Sequence, residues 1–171
     1  GGRRRRGTAH LQGAGAAVVT LPPFLNAEAL LASAGDSACA LLRREPEVFV
    51  CLVMEARKFS ARYYGAPIYL VGSAVTYDDP RDIDLVAIVP KALFYASYGA
   101  ASAEEGVDLF RVAPACVDVP KPWQRWARDC ARQSADLTMT LRRAVDFKVQ
   151  SDRDAVTISD APRVLLAQVG P

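Results

Sequence analysis

The sequence is poor in the residues that hold soft metals. Its 171 residues include one histidine, His10, and four cysteines, Cys39, Cys51, Cys116 and Cys130, with no CxxC pair among them. That pattern argues against a zinc site of the usual Cys/His type. Cys39, Cys51 and Cys130 stand in apolar helical context and read as small core residues in a reducing compartment, hence a cytoplasmic protein. Lysine occurs only at Lys58, Lys91, Lys121 and Lys148, and asparagine only at Asn26, a bias that points to a GC-rich genome and not to a mechanism. No apolar run reaches the length of a membrane span, so no membrane partner is expected.

Excess charge is scarce as well. The formal net charge is +2, and the first twenty residues carry four arginines, Arg3 to Arg6, and no acid. Taking those four charges away leaves the remainder at −2. Strong nonspecific attraction to a polyanion is therefore not expected of the folded part, although a local patch suffices for an RNA acceptor.

What is present is a globular composition, 51% apolar and 23% charged, in a length suited to one domain with a sizeable core. The apolar part of the N-terminal segment is short and Gly-rich, which favours a flexible basic arm over residues 1–21 rather than a signal peptide. Residues 22–171 then form a single domain. Asn26 suits an N-cap for a helix over "AEALLASAGDSACALLRR", with an interruption at Gly35-Asp36. "EPEVFVCLVMEARKFSARYYG" reads as a second helix, opened by Pro46 and stopped by Gly65. Its apolar stripe, Val50, Val53, Met54 and Phe59, is read as core packing.

Two β-rich runs follow, "PIYLVGS" and "DIDLVAIVP". Residues 73–82 between them are too few for a helical crossover, so the runs are expected to pair as an antiparallel hairpin. Residues 91–122 are mixed and loop-rich, with no single period. "PWQRWARDCARQSADLTMTLRR" is helical, with Trp123, Trp126, Cys130 and Leu137 near one face. "AVDFKVQ" alternates strictly, setting Val145, Phe147 and Val149 against Asp146, Lys148 and Gln150. "DAVTISD" is a weaker final strand, and "PRVLLAQVGP" a tail that packs on the sheet. The fold class is α/β (α+β): a small mixed or antiparallel sheet flanked by helices.

The chemistry concentrates in "GSAVTYDDPRDIDL". On a strand, residues i and i+2 share a face, so Asp82 and Asp84 point together and Ile83 points into the core. Two adjacent carboxylates repel unless a cation sits between them, and Mg²⁺ takes such oxygen ligands together with substrate phosphates. Gly72 lets the backbone approach a ligand closely, and the Ser73 hydroxyl can hold phosphate oxygens. If the strand of Asp146 pairs beside that of Asp84, three carboxylates converge. Such a trio can bridge two metals about 3.5–4 Å apart. A solvated acidic strand end, a simple Gly-Ser turn and an exposed polar Asp146 are the plain alternatives. Asp78 and Asp79 suit the turn before Pro80.

Gly-Ser, a polar spacer, Asp-hydrophobic-Asp-hydrophobic and a third aspartate on a later strand together resemble the nucleotidyltransferase superfamily with the DNA polymerase β fold. The likeness is greatest to the minimal single-domain enzymes of bacteria and phages, and it spans about residues 46–150. It implies that Asp82, Asp84 and Asp146 are catalytic and bind two Mg²⁺ or Mn²⁺ ions, and that Gly72 and Ser73 lie under the triphosphate of the NTP substrate. Lys148, on the face of Asp146, is a candidate for a phosphate contact. The implied reaction transfers a nucleoside monophosphate to a hydroxyl on an RNA, a protein or a small molecule. A dimer mate or partner protein is expected to complete the cleft. The eight-residue spacer between Ser73 and Asp82 is slightly shorter than is usual in the family.

Two other readings arise. "DIDLV" also fits the haloacid-dehalogenase pattern, but there the apolar strand precedes the aspartates, whereas here it follows them. A non-catalytic nucleotidyltransferase-fold subunit that binds a nucleotide or a partner is the second, and the short spacer favours it.

Overall fold

The computed structural model describes residues 27–77, 80–99, 124–152 and 162–170. The arm with His10, the Asn26 cap, the Asp78-Asp79 turn, Cys116, Trp123 and the strand expected over 154–160 lie outside these residues.

Helix α1 (Ala27–Ala34) ends in a 3₁₀ turn over Gly35–Ser37, at the expected interruption, and α2 (Ala40–Arg44) follows. Helix α3 (Pro46–Arg62) starts on its proline, where the missing N–H removes no hydrogen bond. Phe49, Val50, Leu52, Val53, Ala56 and Phe59 form its buried stripe. Two expected core residues are corrected here. Cys51 is exposed, and Met54 is half exposed. At 3.6 residues per turn Cys51 and Met54 each stand about 150° from the centre of the stripe, on opposite sides of it. The left-handed residue that closes the helix is Tyr64 (φ 58), one before the expected stop; Gly65 (φ 81) follows it, donates its N–H to the Ser60 carbonyl (2.8 Å) and has a second role. A Cβ there would run into the backbone carbonyl of Val169, so glycine lets the C-terminal segment pass close by.

The sheet is mixed and four-stranded: β1 (Ile68–Val71), β2 (Ile83–Val89), β3 (Val145–Ser151) and β4 (Val164–Ala167), in the order β3-β2-β1-β4. β1 and β2 pair antiparallel, as the short spacer requires, and that spacer holds a one-turn helix, α4 (Ser73–Thr76). β2 and β3 pair in parallel. The C-terminal "PRVLLAQVGP" does more than pack on the sheet: its Val164–Ala167 run pairs antiparallel with β1 as an edge strand. The free edge of β1 needs partners for its N–H and C=O groups, and this run supplies them. Between β2 and β3 lie α5 (Lys91–Tyr98), closed by a left-handed Gly99, and α6 (Gln124–Leu141).

The described helices all share one hydrophobic core with Ile83, Leu85, Phe147 and the other inward residues of the sheet. Trp126, Phe94 and Phe147 are fully buried in it, and the Phe59 and Phe147 rings lie 4.8 Å apart. Asp129 ties three helical segments together. It accepts from the phenols of Tyr63 (3.1 Å) and Tyr98 (2.9 Å) and from Arg132 (2.8 Å). Burial, reinforced by the Asp129 carboxylate, pushes both phenols well above the ordinary tyrosine range. They are fixed donors at neutral pH.

Helix α6 also covers the sheet edge. Ser134 Oγ accepts from the Phe147 N–H (2.8 Å), Thr138 Oγ1 accepts from the Val145 N–H (3.1 Å), and the Trp126 indole donates to the Val149 carbonyl (2.8 Å). Side chains spaced one or two turns apart on one face of α6 thus serve alternate residues of β3, which would otherwise present an unpaired edge. Ser134→Ala leaves a buried N–H without a partner and is expected to cost about 1–3 kcal/mol, read as a lower urea midpoint at unchanged slope. Among the described residues, no helix is long and apolar enough to cross a membrane.

Candidate active site

The second face of the sheet carries the polar side chains of the motif. Cross-strand register sets Val71, Asp84 and Asp146 in one row, and Tyr69, Val86 and Lys148 in the next. Val71 and Val86, with Tyr69 and Ile88 beside them, make a small apolar floor separate from the main core. The expected convergence of three carboxylates is met for two of them: β3 lies beside β2, and Asp146 is the direct partner of Asp84.

The three carboxylates are not equivalent. Asp84 and Asp146 sit inside the parallel ladder and are half-buried, whereas Asp82 is exposed in the bend just before β2. Asp82 is thus outside the strand to which the alternation assigned it, although its charge still reaches Asp84. Burial first, then the charges of Asp82 and Asp146, push the Asp84 carboxyl up to about 6, while Lys148 pulls it the other way. Lys148 is itself largely buried and lies 3.3 Å from Asp146 Oδ2.

Gly72 explains why Asp84 can sit where it does. Its backbone (φ 71, ψ −150) occupies a region open essentially to glycine alone. A Cβ built there would fall onto the Asp84 Oδ2 atom and lie 3.2 Å from its Cγ. The missing side chain is the space that the carboxylate fills. Ser73, next in the chain and partly exposed, opens α4, with the Tyr77 N–H donating to its carbonyl (2.8 Å).

The donor set suits a hard divalent cation, because it consists of carboxylate oxygens and one of them, Asp84, is held at an electrostatic cost. Among the described residues, no group of three His, Cys, Asp or Glu side chains is gathered closely enough to hold a metal ion as it stands. Asp146 is engaged by Lys148, so a cation competes with that ammonium for it.

Arg143 escaped the sequence reading. It follows α6 in a turn where basic residues are unremarkable, and its guanidinium bonds to the Pro80 carbonyl (3.1 Å) and to Glu45 Oε1 (3.1 Å). Both partners lie far away along the chain, and no local period signals either.

No family model, curated protein or solved structure matches the chain.

The electrostatics give a pH prediction. The raised carboxyl of Asp84 means that the folded state binds this proton more tightly than the unfolded state does. Its contribution to stability is therefore favourable at low pH and is lost as pH rises from about 4 through about 6. Asp84→Asn removes that loss. With solvent screening of the exposed part allowed for, the gain above pH 6 is about 1–2 kcal/mol, or roughly 3–6 °C in Tm. The difference should close towards pH 4 when melting is followed in EDTA. Equal gains at both pH values would show that the cost of ionising Asp84, set first by burial and then by the neighbouring carboxylates, is not its source.

Proposed function

We propose that this chain is a metal-dependent nucleotidyltransferase of the polymerase β-like type. It moves a nucleoside monophosphate from an NTP to an acceptor hydroxyl and releases pyrophosphate. The observation that carries the reading is the seat of Asp84: a half-buried carboxyl in register with Asp146, pushed up by burial and then by its acidic neighbours, and pressed into the space left by Gly72.

Asp82, Asp84 and Asp146 are the residues that would hold Mg²⁺ or Mn²⁺. Such an ion neutralises developing charge and lowers the pKa of a nearby hydroxyl. The chain's own groups divide the remaining work. Gly72 and Ser73 lie at the triphosphate. Lys148, released from Asp146, offers its ammonium to phosphate oxygens. The acceptor oxygen bonds to the α-phosphorus, the bond from that phosphorus to the bridging oxygen breaks, and the electron pair leaves with pyrophosphate. Asp146 takes the acceptor's proton as general base.

Each NTP is incubated with the chain, Mg²⁺ and cell extract, pyrophosphate is measured, and the labelled acceptor is identified. Release that depends on both Mg²⁺ and the chain supports the reading. No release, combined with no thermal shift from any Mg-NTP, overturns it. The lock between Lys148 and Asp146 favours the second reading, a non-catalytic nucleotide-binding subunit. A Mg-NTP thermal shift without turnover would single that reading out.

A further inference from the structure

We propose that Arg143 is the positioning residue that fixes Asp82 relative to Asp84 and Asp146, an inference that rests on reading those aspartates as cation ligands. Asp82 stands outside the β-ladder. The ladder begins one residue later, with the Ile83 N–H donating to the Ala144 carbonyl (2.9 Å). The position of Asp82 therefore depends on the segment that leads to it. Pro80 lies two residues earlier and has no N–H, so its carbonyl is the only polar backbone handle that residue offers. Arg143 Nη2 occupies that handle at 3.1 Å.

The same nitrogen lies 3.1 Å from Glu45 Oε1. Glu45 joins α2 to α3: its N–H donates to the Leu41 carbonyl (2.9 Å), and its carbonyl accepts from the Phe49 N–H (3.0 Å). It is thus anchored to the helical layer on both sides. The guanidinium transmits that rigidity to the Asp82 segment. Its own backbone leads into β3, where Asp146 is three residues on. One side chain therefore joins the approach to Asp82, the approach to Asp146 and a rigid helix junction.

Two further features separate this contact from an ordinary surface ion pair. Both side chains of the pair are about two-thirds buried, at 32% and 31% exposure. Arg143 Nε is buried without a hydrogen-bond partner, so the guanidinium holds this pose although one donor goes unsatisfied. Preorganising a ligand from outside the coordination sphere commonly changes metal affinity by about 10–100-fold.

The test uses Mn²⁺ alone as probe, with free ion counted by electron paramagnetic resonance, on the full chain without nucleotide. Arg143→Met is expected to weaken Mn²⁺ binding at least about tenfold, and Arg143→Lys, whose ammonium can still reach both oxygens, to restore part of that loss. Ser60→Ala is the control for general destabilisation. Ser60 is buried and accepts the Val169 N–H (2.9 Å), so this variant should lower Tm and leave Mn²⁺ affinity unchanged. If Arg143→Met does not fold, Arg143→Gln, which stays polar but is two bonds too short for the Pro80 carbonyl and loses the ion pair, is measured against Arg143→Lys with the same ranking expected. Mn²⁺ affinity equal to wild type in these variants overturns the role of Arg143 alone. A wild type that binds no Mn²⁺ overturns the reading of the carboxylates and this inference with it.

Discussion

Asp84→Asn is expected to lower Mg²⁺-dependent pyrophosphate release by more than about 100-fold while making the cation-free protein more stable above pH 6. The loss should exceed the 10–100-fold typical of residues that only support a ligand, because Asp84 is proposed to be a ligand itself. The gain follows from the same geometry. Asp84 is ionised at neutral pH although burial and two neighbouring carboxylates oppose it, and the neutral amide removes that opposition. Activity and stability therefore move in opposite directions, as expected where a strained group is kept for function. Asp82→Asn gives a contrast. Asp82 is exposed, so its replacement should remove activity with a smaller gain in stability. Steady-state pyrophosphate release and melting curves in EDTA, run on the same preparations, check both halves. An active Asp84→Asn would overturn the site assignment, and an inactive variant with unchanged Tm would overturn the electrostatic account.

Gly72→Ala should remove activity and destabilise the protein together. The backbone angles at Gly72 cost an L-residue roughly 1–3 kcal/mol before any contact is considered. The added methyl then competes with the Asp84 carboxylate for the same space, and one of the two must move. A total of about 2–4 kcal/mol is expected, enough to lower Tm by roughly 5–15 °C. The steric share has its own signature. In an Asp84→Ala background the carboxylate is gone and the new methyl meets only the remaining Cβ of that residue, at an ordinary contact distance of 3.5 Å, so Gly72→Ala should cost only the backbone share. The double mutant should be more stable than the sum of the singles by about 1 kcal/mol or more. Strict additivity in urea melts would mean that Gly72 is required for its backbone alone.

The local elements of this protein were legible in its sequence because each has a local cause. The apolar period and Pro46 specify α3, and the short spacer forces β1 and β2 to be antiparallel neighbours. Strict alternation specifies β3 and puts Asp146 and Lys148 on one face. The same period fixes Ile83 inward and Asp84 outward on β2. Where the sequence misled, the cause was a local rule extended too far. Cys51 was assigned to the core by its apolar context, and Met54 by its i+4 spacing from Val50, which is at the edge of the buried stripe rather than at its centre. Asp82 was placed on a strand that begins one residue later.

What tertiary structure decided was pairing. Periodicity tells a strand which face to bury and not which strand to join. Asp84 and Asp146 are more than sixty residues apart, and only the parallel register of β2 on β3 makes them partners. The same holds for β4 on β1, for the side chains of α6 that serve the edge of β3, and for the guanidinium of Arg143 between Glu45 and Pro80. Gly72 shows the division most plainly. In the sequence it is a glycine that permits close approach to a ligand. In the folded chain the group that approaches it is Asp84, and that contact exists only because the hairpin closes.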